Sequence, residues 1–423
     1  MRLCVFALVV SSLAASIPQI EVLETAPQES ELDLRELRNA VDVFPELFAR
    51  AESTIAVSQM YMLWYRPESR GALLFAFYDR LIGAARRGVM VRILLDSTTL
   101  EDNASPTYRR MRDSLNRTPG IEVRALDLRP YSRYPACMLH TKYMVIDGKT
   151  SVIGSHNWSF SAFADNRELS LLVEDSTIAR QLGKVFETDW RVAGGGPGPA
   201  VAEGIPLPQS SGIAEGIPLL QAREEFGSGS RGRDSAPTNR GCGRGILSSI
   251  LSLVVTSPEK LRDSTVLSTA DALRRVFGTA KSDLAVEVNS LTTRADFGDS
   301  KHFLLLDSLL REAAGRGVRI RLLVDKWAYD LEPPLFRRLN NTDNIQVRII
   351  DISELGPNPG TGSVHAKLVI ADGQRALLGS ATFSQRQIME CRNVGLLVED
   401  QKTVGRLQAV FETDWNSHYV FKP

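Results

Sequence analysis

Two stretches of this chain are copies of one pattern, which restricts the fold to two like units. His140-Thr141-Lys142 is followed by Asp147, Gly154, Ser155 and Asn157, and His365-Ala366-Lys367 by Asp372, Gly379, Ser380 and Thr382. Each member of the second set lies 225 residues after its counterpart. The copying extends well beyond the motif. Val185 to Trp190 is identical to Val410 to Trp415, Ser170 to Asp175 matches Gly395 to Asp400, and Val89 to Leu95 ending at Asp96 matches Val318 to Val324 ending at Asp325.

Within each copy, apolar segments rich in β formers alternate with segments of helical period. In the first copy, Thr54 to Tyr65, Val89 to Leu95, Ile121 to Leu126, His140 to Ile146, Ser151 to Ile153 and Leu169 to Val173 read as strands. Ala72 to Ala85, Arg109 to Leu115 and Ile178 to Trp190 read as helices. The second copy repeats the order, with helices at Ala270 to Phe277 and Phe303 to Ala314 and strands at Leu284 to Leu291 and Ile345 to Ile350. This predicts an α/β fold of two homologous α/β/α sandwich halves related by a pseudo-two-fold axis, with the active site in the cleft between them. Asp147-Gly148 is a hairpin signal that returns the His140 strand antiparallel to itself, and residue i+2 places Lys142 on the face of His140.

A chain of 423 residues is long enough for two cores. At 43% hydrophobic and 24% charged it reads as folded. Its 50 basic and 50 acidic residues balance, which gives no support to a polyanion binder working through overall charge but leaves room for a local basic cleft. Met1 to Ser16, an apolar run followed by small residues, resembles a short secretory signal. The expected organisation is a signal over 1–17, an N-terminal half over 18–193, a flexible Gly/Pro/Ser/Arg-rich insertion over 194–245, and a C-terminal half over 246–423. A signal implies a secreted, periplasmic or lumenal location, and its absence a cytoplasmic one. The four cysteines form no disulfide framework. Cys137 and Cys391 flank the two motifs and read as buried free thiols that come close if the motifs share a cleft.

Two histidines from two symmetric halves suit displacement at phosphorus. One imidazole attacks to form a phosphohistidine; the other protonates the leaving alkoxide and then activates water. Lys142 and Lys367 would hold the non-bridging oxygens, and Ser155, Asn157, Ser380 and Thr382 can donate further hydrogen bonds. No metal-ligand spacing surrounds the motifs, and neither metal nor cofactor is expected.

The shared His-x-Lys-x4-Asp-x6-Gly-Ser pattern resembles the duplicated motif of the phospholipase D superfamily, over about Ile20 to Trp415 apart from the central insertion. That resemblance implies a cleft between two α/β halves, a covalent histidine intermediate without a metal, and a site set of His140, Lys142, Asp147, His365, Lys367 and Asp372, with the two aspartates acting structurally. The copies differ after the motif: Glu168 stands in the first where Asn393 stands in the second. Glu168 can accept from the distal nitrogen of His140 and raise its nucleophilicity. On that ground His140 is the nucleophile and His365 the acid/base, the reverse being compatible with the same geometry. Val22 to Pro27, Gly317 to Trp327 and Asp414 to Tyr419 are similar to the secreted or lumenal branch of five-prime exonucleases. Tyr61, Trp64, Tyr134, Trp158, Trp327 and Tyr329 are candidates to stack on bases or to pack in the core. The expectation is a phosphodiester hydrolase acting on single-stranded nucleic acid. The alternatives are a phospholipase D or phosphatidyl transferase in peripheral contact with a membrane, and a binding protein of the same fold without turnover.

Overall fold

The structure is a computed structural model that describes residues 18–28, 30–63, 72–101, 106–134, 136–196, 250–296 and 302–423. The signal expected at 1–17, Trp64 and nearly all of the 194–245 insertion lie outside the described residues.

Each half is built on one sheet, and seven strands keep the same order in both, Arg38–Asn39 being added at one edge of the first and Val420–Phe421 at the other edge of the second. In the first, Gln19–Thr25 lies beside Glu168–Glu174, followed by Thr150–Gly154, Lys142–Ile146, Thr54–Gln59, Met90–Asp96 and Ile121–Leu126. In the second, Leu251–Thr256 lies beside Asn393–Val398, followed by Arg375–Gly379, Lys367–Ala371, Asp283–Val288, Arg319–Asp325 and Ile345–Ile350. The three strands joined by helices pair in parallel and the motif strands antiparallel, so both sheets are mixed. Alternation within the strands sets the layering. Tyr143 and Val145 face a central core shared by both halves, whereas Met144 and Ile146 face the outer helices of the first half. Ser176–Ala193 and Gln401–Asn416 supply Leu182, Phe186, Leu407 and Phe411 to the central core. The molecule is therefore two α/β layers closed over one shared interior.

Two sequence expectations need correction. The strand expected over Thr54 to Tyr65 ends at Gln59, because Met60 N–H then bonds Thr141 O and Leu63 N–H bonds Trp158 O, which turns the chain over the motif loop. The motif strand begins at Lys142, not His140, because the residues before it pair with the opposite half. Gln19–Thr25, paired between Glu168–Glu174 and the short Arg38–Asn39, and Ala40–Arg50, an amphipathic helix covering the sheet, were not foreseen.

The halves are joined by two symmetric buried ion pairs. Arg167 donates from Nε to Asp414 at 2.8 Å and from Nη1 to Glu24 at 2.5 Å, all three fully buried. Arg392 makes a two-pronged bond to Asp189 at 3.0 and 2.6 Å. Both aspartates lie in the hexapeptide repeated without change in the two closing helices. Such pairs break roughly even on formation, yet losing one partner strands a charge in the interior. Arg392→Met should lower the unfolding free energy by about 3–5 kcal/mol in urea titrations, and Arg392→Met with Asp189→Leu should recover most of that loss.

Beside Arg167 the charges do not balance: Glu24, Asp414 and the buried Glu287 share one guanidinium, and neither carboxylate oxygen of Glu287 has a donor. Burial, then the charge of Asp414, pushes Glu287 well above the usual carboxylate range. A raised folded-state pKa means that the stabilisation is complete below the unfolded value near 4.5 and is lost as pH rises through the folded value. Glu287→Gln should match the parent's stability in acid and exceed it at neutral pH, read as thermal midpoint against pH.

Candidate active site

The sharp turn after each motif strand is built by Asp147-Gly148 and Asp372-Gly373, with φ of 53° and 62° in the first and 54° and 61° in the second. Positive φ at both central residues is the geometry of a tight hairpin turn. The carboxylate of Asp147 accepts from Glu52 N–H, Ser53 N–H and Oγ, and Thr54 N–H at 2.8–2.9 Å. Asp372 does the same for Lys281, Ser282 and Asp283. These aspartates tie the turn to the start of the neighbouring strand, at the opposite end of the motif strand from the histidine.

At the other end, Asp96 and Asp325 anchor the segment entering the histidine. Asp96 accepts from Leu139 N–H at 2.5 Å and Thr98 N–H at 3.0 Å; Asp325 accepts from Val364 N–H at 2.7 Å and Trp327 N–H at 2.8 Å. Sequence reading placed both at strand ends without a role; their matched position in the two copies was the available signal.

Each entering segment crosses to the other half. His140 N–H bonds Arg392 O at 2.9 Å and Arg392 N–H bonds Met138 O at 3.0 Å; His365 N–H bonds Arg167 O at 2.9 Å and Arg167 N–H bonds Ser363 O at 3.0 Å. Each histidine is thereby set beside the residue following the opposite arginine. His140 Nδ1 meets Asn393 Oδ1 at 3.0 Å, and His365 Nδ1 meets Glu168 Oε2 at 2.9 Å. The expected pairing of Glu168 with His140 is therefore wrong. The backbone crossing carries Glu168 to His365.

The Asn393 amide is oriented by its own bonds: Nδ2 donates to Gln387 O and Oε1 at 2.9 Å, and Oδ1 also accepts from Ser380 Oγ at 3.0 Å. His140 Nδ1 must then carry the proton, which leaves the Nε2 lone pair free. Burial, then Lys142 and Lys367, push His140 well below its ordinary value. His365 is also lowered, by burial, with Glu168 opposing. Burial raises Glu168, but the charge and hydrogen bond of His365 outweigh it and hold the carboxyl at about 2.

Lys142 Nζ donates to His140 O at 2.9 Å, and Lys367 Nζ donates to His365 O. Each keeps two further protons for a ligand. Burial depresses both ammonium groups, Lys367 to about 7 and Lys142, beside it, well below the usual lysine range. An anion between them would reverse that penalty.

Of the supporting residues, Ser155 and Ser380 are committed elsewhere. Ser155 Oγ donates to Leu169 O at 3.2 Å and accepts from Leu169 N–H at 3.0 Å; Ser380 Oγ donates to Asn393 and accepts from Val394 N–H at 3.1 Å. They stitch the hairpin to the next strand, where the motif glycines permit close approach: a Cβ at Gly154 would lie 2.2 Å from Leu169 O. Asn157 is buried with Oδ1 unpartnered. Thr382 shares with His140 the wall of an open cleft of about 400 Å³, whose lining includes Trp327, Leu331, Arg294 and Arg386. Trp158 belongs to the outer core, packed on Phe77 and Phe48.

The chain matches the family model described as "Cardiolipin synthase, PLD-like domain" over residues 45–190 and again over 274–415. It belongs to the phospholipase D superfamily, as one of its phosphodiesterases. Among curated relatives it is 25% identical over 419 residues to phospholipase D Y of Dictyostelium discoideum, covering 95% of this chain and 91% of that protein. It is 26% identical over 325 residues to the 5′-3′ exonuclease PLD4 of Mus musculus, covering 71% of this chain and 59% of that one. Among solved structures, phosphatidylserine synthase of Haemophilus influenzae Rd KW20 superposes with a TM-score of 0.61 at 13% identity, over 97% of this chain and 90% of that one, a likeness of fold.

The crossed pairing is open to a direct reading. In Glu168→Gln the His365 imidazole should titrate at lower pH, because the charge favouring its protonated form is gone, while His140 stays unmoved. Nuclear magnetic resonance titration of the two rings checks this, and movement of His140 instead would contradict the pairing.

Proposed function

We propose that the chain hydrolyses phosphodiesters of single-stranded nucleic acid through a phosphohistidine on His140, with His365 as acid and base. The observation that carries this is the unequal backing of two imidazoles among two buried lysines. Asn393 fixes the His140 tautomer without adding a negative charge, and burial with Lys142 and Lys367 outweighs its hydrogen bond, so the ring stays neutral with Nε2 free to attack. Glu168 stabilises protonated His365, which suits the group that must carry a proton. The roles are those expected from the sequence, for the opposite reason: the carboxylate serves the acid, not the nucleophile.

His140 Nε2 attacks phosphorus and the bond to the leaving oxygen breaks, that oxygen taking the proton from His365 Nε2. Water then gives a proton to His365 and attacks phosphorus, the phosphorus–nitrogen bond breaks, and the electron pair returns to His140. Lys142 and Lys367 hold the non-bridging oxygens, where negative charge concentrates as phosphorus becomes five-coordinate. Asp147, Asp372, Ser155 and Ser380 keep the motif strands in place, and Thr382 shares the cleft wall with His140.

The cleft beside His140 favours a nucleic acid. Trp327 is 58% exposed on its wall, a flat surface for a base. Arg294 and Arg386 line the same wall, Arg386 Nε making no hydrogen bond among the described residues and lying 4.0 Å from Asp296. Phospholipid is the second reading, favoured by Leu331, half-exposed beside Trp327, as an apolar landing for an acyl chain.

Incubation of the purified chain with a single-stranded oligonucleotide and with phosphatidylcholine vesicles, with and without a chelator, separates these readings. Cleavage of the oligonucleotide alone, unaffected by chelation, is expected. Cleavage of the vesicles alone establishes the lipid reading, and binding without turnover of either substrate leaves a non-catalytic member. His140→Ala should abolish turnover and covalent adduct together, whereas His365→Ala should accumulate adduct; the opposite pattern exchanges their roles. Trp327→Ala should raise KM for the oligonucleotide about tenfold with little change in kcat, the loss of one stacked base.

A further inference from the structure

The two crossings that build the site are not equivalent. At one, Glu168 meets His365, and the residues preceding the pair are Asn166 and Gly362. Asn166 Nδ2 donates to Glu168 Oε1 at 3.0 Å. At the other, Asn393 meets His140, and the positions matching Asn166 and Gly362 are Cys391 and Cys137. The crossing without a carboxylate beside its histidine has a thiol on each side of the boundary between the halves.

The geometry of this crossing brings the thiols together. Leu139 and Arg392 form a parallel bridge, closed by the bonds from His140 N–H to Arg392 O and from Arg392 N–H to Met138 O. Paired segments lie about 4.8 Å apart, and this register sets Cys137 opposite Glu390, the residue bonded to Cys391. Both cysteines are buried, and the Cys137 thiol donates to Glu390 O at 3.3 Å. The neighbouring Cys391 and then burial raise the Cys137 thiol. Buried, the pair is out of reach of a small disulfide once packed, so oxidation belongs to the period when the halves are docking.

We propose that Cys137 and Cys391 form a disulfide across the boundary between the halves, three residues before His140 and two before Asn393, when the chain folds in the presence of a low-molecular-weight disulfide. One thiolate attacks the small disulfide and releases one small thiol. The second cysteine, as thiolate, displaces the other small thiol from the mixed disulfide. Two protein thiols lose two electrons and two protons in all, and one small disulfide is reduced to two thiols. The bond closes a loop of most of the chain's length, which removes much of the freedom of the unfolded state.

The full chain, unfolded under reducing conditions and refolded with oxidised and reduced glutathione, should give on digestion without reductant a peptide pair joining Cys137 to Cys391. It should be lighter by two hydrogens than the sum of the free peptides and should disappear with reductant. The oxidised chain should melt about 5 °C above the reduced one, a difference absent from Cys137→Ser and Cys391→Ser. Refolded chain in which both cysteines are alkylated, or in which either is joined to Cys4 or Cys242, overturns the proposal. The peptide map needs no variant, so a serine variant that fails to fold does not remove the test.

Discussion

The structure depends on a backbone crossing made twice. The segment before each histidine leaves its own sheet and bridges to the opposite half, at Leu139 to Arg392 and at Val364 to Arg167. The arginine at each bridge is held in turn by an aspartate of the other half's closing helix. Burial of apolar surface from both sheets and both closing helices supplies the driving force for docking. The bridges and ion pairs add little net free energy but admit one register. A shift by one residue would leave charges unpaired in the interior and separate both histidines from their partners.

That register sets the electrostatics of the site. Two ammonium groups and two imidazoles lie buried together, each lysine bonded to the carbonyl of its own motif histidine. Such crowding of cationic groups is unfavourable by itself, and the lysines and histidines all shift toward their neutral forms. A phosphodiester brings the missing negative charge, so the unfavourable placement of the cations becomes binding energy when the anion enters. Glu168, held ionised at one histidine only, makes the two imidazoles unequal before any ligand arrives.

Much of this was legible in the sequence, and the part that was not shares one cause. Repeat offset and strand period identified the units, the motif hairpins and the positions of His140, Lys142, His365 and Lys367, because those patterns report which residues share a face within a unit. They do not report which unit a residue meets. Glu168 follows His140 by 28 residues in the same copy, and only the crossing of chain segments between halves reveals its partner as His365. Ser155 and Ser380 were misread in a related way: a hydroxyl at the end of a motif strand resembles a ligand donor until the neighbouring strand takes it. Gln19–Thr25 and Ala40–Arg50 escaped notice because their counterparts, Leu251–Thr256 and Thr269–Thr279, share their place in the fold but not their sequence or the 225-residue offset.

The exchange of partners between halves also bears on how such a chain can arise. A single copy cannot complete its own site; it would have to associate with a second molecule of itself, and then both imidazoles would face identical neighbours. Joining two copies in one polypeptide removes that equality. One copy can retain its carboxylate at Glu168 while the other substitutes an amide at Asn393, and the difference in surroundings between His140 and His365 becomes heritable. Covalent fusion is what permits the two ends of one reaction to be tuned separately.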